Sequence, residues 1–298
     1  MLTLKNKGEN LNKYGWQFIS IALVLFLIFL VYPAIESLIL SMHTTKGIVK
    51  TFSGLANFKR MITDPMFKTA ISNTFVFLLI QVPIMLIMAI FLANLLNSKK
   101  LKMRAFYRIA IFLPCVTSLV AYSVLFKMMF SNEGLINHFL LGLNLIKEPI
   151  IWLQDPFWSK VVIILALLWR WTGYNMIFFL AGLQNINPSL YEAAEIDGAN
   201  KLHQFFYITV PQLKPIILFT AVMSTIGTLQ LFDEPMNLTV TNNVPLKATM
   251  TIAQYIYMNS FVYAPNFGYA ATLSYAVVAI IALLSIVQFK IAGDEYDN

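Results

Sequence analysis

The sequence predicts an all-α integral membrane protein with six crossing helices, and three observations carry that reading. Of its 298 residues 58% are hydrophobic and only 12% charged, whereas a soluble domain carries about a quarter charged side chains. Mean hydropathy is +0.70. The apolar residues fall in runs of the length, about 20 residues, that a helix needs to cross roughly 30 Å of hydrocarbon.

Six such runs are legible, at residues 17–42, 69–97, 105–129, 157–183, 212–234 and 267–290. The first follows Lys5, Lys7 and Lys13 and continues to Met42, far beyond the short core of a cleaved signal peptide, so it reads as a retained helix. Tyr14, Trp16, Trp152 and Trp158 stand where interfacial aromatics belong. Pro33, Pro83, Pro114 and Pro215 lie within the runs or near their ends, a placement membrane helices tolerate. Gly54–Asp64 sets Leu55, Phe58, Met61 and Ile62 at helical spacing and predicts a short interfacial amphipathic helix, as does Leu135–Leu145.

An even number of spans puts both termini on one side. The short basic segment Lys99, Lys100, Lys102, Arg104 and Arg108 belongs in the cytoplasm by the positive-inside rule. Both termini and the 184–211 loop are then cytoplasmic. Lys46, Lys50, Lys59, Arg60 and Lys68 in the loop assigned outside argue the other way. The organisation expected is a cytoplasmic tail at 1–15, a membrane domain at 16–291, and a second cytoplasmic tail at 292–298.

The same composition limits the functions available. A net charge of +7 with lysines gathered at span ends fits membrane topology rather than nucleic-acid binding. A single cysteine, Cys115, permits no internal disulfide, and no Cys/His spacing suggests a metal. No Gly-x-x-x-x-Gly-Lys-Ser/Thr motif is present, so the chain does not hydrolyse ATP through a P-loop. His43, His138 and His203 lie far apart and form no His-Glu-x-x-His pair.

The most informative stretch is the loop from Asn187 to Pro211. Ser189 and Glu192 have capping-box spacing, and Asn187 before Pro188 is an alternative cap. Gly198 suits the left-handed end of one helix and Asn200 the cap of another. Two short helices joined at Gly198 follow, with Leu190, Ala193 and Ala194 on one face and Glu192, Glu195 and Asp197 as available acids. A solvated hairpin and a docking element for another protein both fit these features.

Inside the spans, the candidate functional ionisable residues are Glu36, Lys127, Arg170, Asp233 and Glu234. Such groups face a cavity or a partner, or reach the interface when near a span end, as Lys127, Asp233 and Glu234 are. Arg170 stands between Trp169 and Trp171, with Tyr174 and Asn175 following. Aromatic faces beside hydrogen-bonding groups suit a sugar. If Arg170 faces the solute, an anionic or uronic sugar follows; pairing with an acid such as Asp233 accounts for it equally well.

Tyr191-Glu192-Ala193-Ala194, Asp197-Gly198-Ala199 and Ile208-Thr209-Val210-Pro211 together resemble the EAA signature of ABC-importer permeases. Gly54-Leu55-Ala56-Asn57-Phe58, Asp64, Phe67, Asn73-Thr74, Ala181-Gly182-Leu183-Gln184 and Gly268-Tyr269-Ala270-Ala271 extend the resemblance over most of the chain, toward the larger permease of maltose-type transporters. One departure is Thr241-Asn242-Asn243-Val244-Pro245, where that family commonly has Gly-Gly-Pro after the preceding residues.

The resemblance implies a subunit of a binding-protein-dependent importer of a sugar or similar polar solute in a bacterial cell membrane. It implies a second, related permease, two cytoplasmic ATPases that use ATP and Mg, and an external solute-binding protein. Tyr191, Glu192, Ala193, Ala194, Asp197, Gly198, Ala199 and Pro211 would couple to the ATPase. Substrate contacts would lie around Trp169, Arg170, Trp171, Tyr174 and Asn175, and around Ser224, Thr228, Leu231 and Asp233. The competing reading is a secondary transporter or channel, which an ion gradient rather than ATP would drive.

Overall fold

The computed structural model describes residues 2–46, 49–98, 101–241 and 244–293. Lys99 and Lys100 of the basic segment, Asn242 and Asn243 of the departing loop, and most of the 292–298 tail lie outside the described residues. The chain divides into two compact units, residues 1–63 with 256–276 and residues 64–255 with 277–298.

In the first unit, α1 (Leu2–Phe26) passes through a π turn, Leu27–Val31, into α2 (Tyr32–Ser41). A hairpin of β1 (His43–Lys46) and β2 (Val49–Phe52) follows, pairing His43 with Phe52, and then α3 (Ala56–Thr63). Apolar residues from Phe18 to Ile39 cover an exposed helix surface, as a helix facing lipid requires. Asn57 is buried and donates from Nδ2 to the carbonyls of Ser41 (2.8 Å) and His43 (2.9 Å), where α2 ends. Further along this unit, Gly268 passes so close to the His43 carbonyl that a Cβ would lie 1.8 Å from its oxygen. Arg60 lies 4.1 Å over the fully buried Tyr269 ring. These contacts give the Gly-Leu-x-Asn-Phe and Gly-Tyr segments a structural role.

The second unit starts at α4 (Pro65–Asn97), whose first amides are capped by Asp64, Oδ1 accepting from Met66 and Phe67. Helices α5 (Arg104–Val116), α6 (Leu119–Met129), α7 (Leu135–Gly142) and α8 (Trp158–Gln184) follow. Next come α9 (Pro188–Ile196), α10 (Lys201–Gln204), a π turn Phe205–Thr209, α11 (Val210–Gln212) and α12 (Lys214–Leu229). The chain continues through α13 (Asp233–Thr239), a second short hairpin, α14 (Ile252–Tyr257), a third π turn and α15 (Phe267–Gly293).

Helix α4 packs along α8, and α12 packs on both. One apolar cluster, with Met85, Ala89, Met176, Phe179 and Leu213, fills the junction of these three helices. A second, with Phe77, Phe126, Trp152 and Ile163, joins α6 to the start of α8. Glycines set the closest approaches. At Gly173 a Cβ would lie 2.0 Å from the Ile111 carbonyl oxygen, so α8 and α5 meet backbone to backbone. At Gly182 it would lie 2.1 Å from Ile216 Cδ1.

Among the described residues, four helices are long and apolar enough to cross a membrane: Tyr14–Ser41, Pro65–Asn97, Trp158–Gln184 and Phe267–Ile291. Two expected spans, 105–129 and 212–234, are not straight. The first bends by 96° between Val116 and Leu119, and the segment 201–229 bends by 67° after Gln212, so the total reaches six only if each bent pair is one span. Pro114 leaves the Ala110 carbonyl without its helical donor; the Thr117 hydroxyl takes the Pro114 carbonyl at 2.7 Å, and Thr117 is extended.

Helix α12 also stops at Leu229 instead of continuing through residue 234. Pro235 has no N–H for the Leu231 carbonyl, and the Thr251 hydroxyl occupies it at 2.6 Å instead. Trp152, expected at an interface, is buried, its Nε1 donating to Asn137 at 2.8 Å. The same Asn137 side chain accepts from Ile150 N–H (3.1 Å) and donates to the Asn132 and Ile150 carbonyls, both 3.0 Å. It thus organises the 130–152 segment beyond what an interfacial helix at Leu135 would require.

Candidate functional site

Two features of the second unit gather most of the residues that the sequence singled out; Glu36, in the first unit, and Lys127 belong to neither. The first is a cavity of about 410 Å³ bounded by α4, α8, α12 and the segment leading into α13. Leu167, Arg170, Trp171, Tyr174, Asn175 and Phe178 line it from α8 at three- and four-residue spacing, which on a helix is one face. Helix α12 answers with Thr220, Ser224 and Thr228, a stripe of hydroxyls, beside Phe219 and Met223.

Eight of the nine residues expected along a substrate path line this cavity: Arg170, Trp171, Tyr174, Asn175, Ser224, Thr228, Leu231 and Asp233. Trp169 does not. One residue off the stripe, it turns to the opposite side of α8 and packs on Tyr122 (6.0 Å) and Phe126 (5.7 Å). The i, i+3, i+4 spacing through Arg170 already separates it from Tyr174.

An aromatic ladder runs along the wall. Trp171 meets Tyr174 at 5.8 Å, Tyr174 meets Phe178 at 5.1 Å, and Phe178 meets Phe219 at 5.6 Å between ring centroids. Facing it is a buried polar cluster. The Thr228 hydroxyl lies 3.2 Å from Gln81 Oε1, and Gln81 Nε2 reaches Met85 Sδ at 3.2 Å. Asn175 Nδ2 donates to the Trp171 carbonyl at 3.1 Å.

Gln81 was not among the expected site residues. Its signal was present as an amide two positions before Pro83 in an otherwise apolar span, where a polar group faces the bundle interior.

Glu234 is the other addition. Its place near a span end suggested that it reaches the interface; instead it is 3% exposed and pairs with Arg170, Nη1 to Oε1 at 3.3 Å. The acid beside Arg170 is therefore Glu234, while its neighbour Asp233 is exposed and lines the cavity. The Arg170 guanidinium also lies 5.1 Å from the ring centres of both Tyr122 and Trp171.

The second feature is the loop between α8 and α12. Asn187 caps α9, its Oδ1 accepting from Ser189 N–H at 3.1 Å, with Pro188 in the first turn. Of the two caps legible in the sequence, this one forms. At the other end Gly198 adopts φ +82°. Ala199 N–H then bonds to the Ala194 carbonyl (2.8 Å) and Gly198 N–H to that of Glu195 (3.1 Å), the paired bonds of a Schellman turn. Asn200 caps α10 through His203 N–H at 2.8 Å.

Tyr191 is half-buried, and its hydroxyl meets Thr209 Oγ1 at 2.9 Å, tying α9 to the π turn below α12. Glu192, Ala193, Asp197, Gly198 and Pro211 are exposed, Ala194 and Ala199 half-buried. Helix α9 has no buried residue, and Ile196, Leu202, Phe206 and Tyr207 are exposed around it. Exposed apolar side chains next to exposed acids form a surface suited to another protein.

Comparison with known proteins places these features in a family. Residues 85–292 match the family described as binding-protein-dependent transport system inner membrane component. The chain is 53% identical over 247 residues to the lactose transport system permease protein of Rhizobium radiobacter, covering 83% of each. It is 36% identical over 238 residues to the arabinooligosaccharides transport system permease protein of Bacillus subtilis, covering 78% of this chain and 74% of that one.

Among solved structures, a chain of a bacterial ABC transporter involved in the import of the acidic polysaccharide alginate superposes with a TM-score of 0.82, covering 99% of both chains. At 24% identity that likeness speaks to fold alone.

Proposed function

This chain belongs to the binding-protein-dependent transport system inner membrane components, and on that premise we propose that it carries a sugar or a related small polar solute across the membrane as one of two permeases. It is a multi-pass inner-membrane permease subunit. A second, related permease completes the pathway, an external solute-binding protein delivers the sugar, and two cytoplasmic ATPases supply the energy. ATP and Mg are held by those ATPases.

The observation that carries this reading is the occurrence, in one chain, of a solute-sized cavity and an exposed two-helix loop joined by α12. Pockets of about 300–1,000 Å³ lined by aromatic rings and a few hydrogen-bonding groups suit small polar ligands. The Trp171–Tyr174–Phe178 ladder offers faces to a sugar's C–H patches, and Asn175, Ser224, Thr228 and Gln81 offer partners to its hydroxyls. The named sugars of the relatives support this substrate class.

The bent pair Arg104–Met129 counts as one span in this reading and α12 as another, making six, with both termini and the 187–211 loop in the cytoplasm. Residues 1–15 and 292–298 are tails and 16–291 the permease domain. Glu192 and Asp197 meet basic groups of the ATPase, and Ala193, Ala194 and Ala199 let its surface approach. Closure of the ATPases on ATP moves α9 and α10. The Tyr191–Thr209 contact passes that motion to α12, whose hydroxyl stripe lines the cavity, so the site opens inward.

The test is gentle solubilisation of a tagged chain from its native membrane. Recovery of an ATPase and a second permease is expected, with the ATPase lost on Glu192→Ala. A chain that purifies alone, and moves sugar in liposomes without ATP, refutes the reading.

A further inference from the structure

From the Arg170–Glu234 pair we infer that this cavity is an electrostatic filter that admits neutral sugars and rejects acidic ones, with Glu234 and Asp233 as the specificity-determining residues. The inference rests on the sugar reading of the cavity proposed above.

An arginine in a sugar-sized cavity would ordinarily favour a carboxylate, because its planar fork matches one in two parallel hydrogen bonds. Here that charge is already spent. Glu234 Oε1 lies 3.3 Å from Arg170 Nη1, and the side chains are only 5% and 15% exposed. The guanidinium is further held between Tyr122 and Trp171, each 5.1 Å away.

With Arg170 neutralised, Asp233 leaves the cavity wall with one uncompensated negative charge. Among the described residues that line the cavity, a uronic sugar meets two carboxylates and no cation besides the paired Arg170; the remaining walls are uncharged, made of aromatic rings, amides and hydroxyls. Like charges brought together in such a setting are strongly disfavoured. A neutral sugar loses nothing to this field and keeps the aromatic ladder and the amides. Glu234 thus settles the ambiguity that Arg170 alone presents: the arginine holds a wall of the cavity and does not select an anion.

The experiment is equilibrium displacement of radiolabelled lactose from the complete importer in nanodiscs, by unlabelled lactose and by lactobionate, its anionic counterpart of similar size. Wild type is expected to prefer lactose. Asp233→Asn, which leaves the ion pair intact, and Glu234→Gln should each shift the lactobionate-to-lactose affinity ratio toward the acid on the order of tenfold, the effect of one unit charge about 10 Å away at an effective dielectric of about 20. Arg170→Gln should shift it the other way.

A ratio unchanged by both Asp233→Asn and Glu234→Gln, with lactose still bound, overturns the filter while leaving the sugar cavity standing. Absence of binding of both lactose and an arabinooligosaccharide, the sugars named for two relatives, by the wild-type importer refutes the cavity reading itself, and the filter with it. If Glu234→Gln fails to assemble because it strands a buried arginine, Asp233→Asn alone decides, since Asp233 is exposed and outside the pair.

Discussion

Gly198 is the position where a small change tests coupling most directly. Its φ of +82° closes the Schellman turn at the end of α9, and a Cβ added there meets nothing within 4 Å. Substitution therefore brings no clash, only the backbone cost of a left-handed conformation. That cost is about 1–2 kcal/mol for an ordinary L-residue, smaller for Asn and greatest for a β-branched side chain.

Such a cost lowers the population of the observed turn by up to about 5–30-fold. The assay is ATP-driven uptake, by proteoliposomes holding the complete importer with Gly198→Asn, Gly198→Ala or Gly198→Val, of a sugar that the wild-type importer carries. Uptake should fall in that order while membrane insertion stays constant, because the loop lies outside the apolar spans. Equal uptake by Gly198→Val and wild type would show that the turn is not needed for transmission, and would refute the role given to this joint.

Three further outcomes are expected. Tyr191→Phe removes the hydroxyl that meets Thr209 Oγ1 at 2.9 Å, a bond worth about 0.5–1.5 kcal/mol. The ATPase should still co-purify while uptake per ATP hydrolysed falls, whereas unchanged stoichiometry would remove Tyr191 from the coupling path. Asn137→Ala strands the buried Trp152 Nε1–H and the Ile150 N–H, each costing about 1–3 kcal/mol. The detergent-solubilised protein should lose several degrees or more of thermal stability, and an unchanged midpoint would contradict that hydrogen-bond network. Gly173→Val places a side chain against the Ile111 backbone, 2.0 Å from its carbonyl oxygen at the Cβ alone. Loss of folded protein by size-exclusion profile is expected, and a normal profile would mean that α8 and α5 do not cross there.

The broken spans show what a linear reading misses. Hydropathy averages over a window, so 105–129 and 212–234 look continuous. A proline's missing donor acts at one carbonyl, and whether the chain bends depends on who takes that carbonyl. At Leu231 the acceptor finds Thr251, 20 residues away in sequence. The hydrophobic pattern of the spans contains no trace of that partner.

Local spacing set the apolar runs, the caps at Asn187 and Asn200, the left-handed Gly198 and the signature loop. Those follow from backbone geometry within a few residues, and six of the nine path residues, Arg170, Trp171, Tyr174, Asn175, Ser224 and Thr228, fell on two helical stripes for the same reason. The tertiary structure decided which polar groups meet. That Arg170 is answered by Glu234 rather than Asp233, that Gln81 joins Thr228, and that Trp169 turns away all depend on how α4, α8, α12 and the start of α13 pack. A buried charge takes the acid that packing brings within reach, and sequence order does not encode that distance.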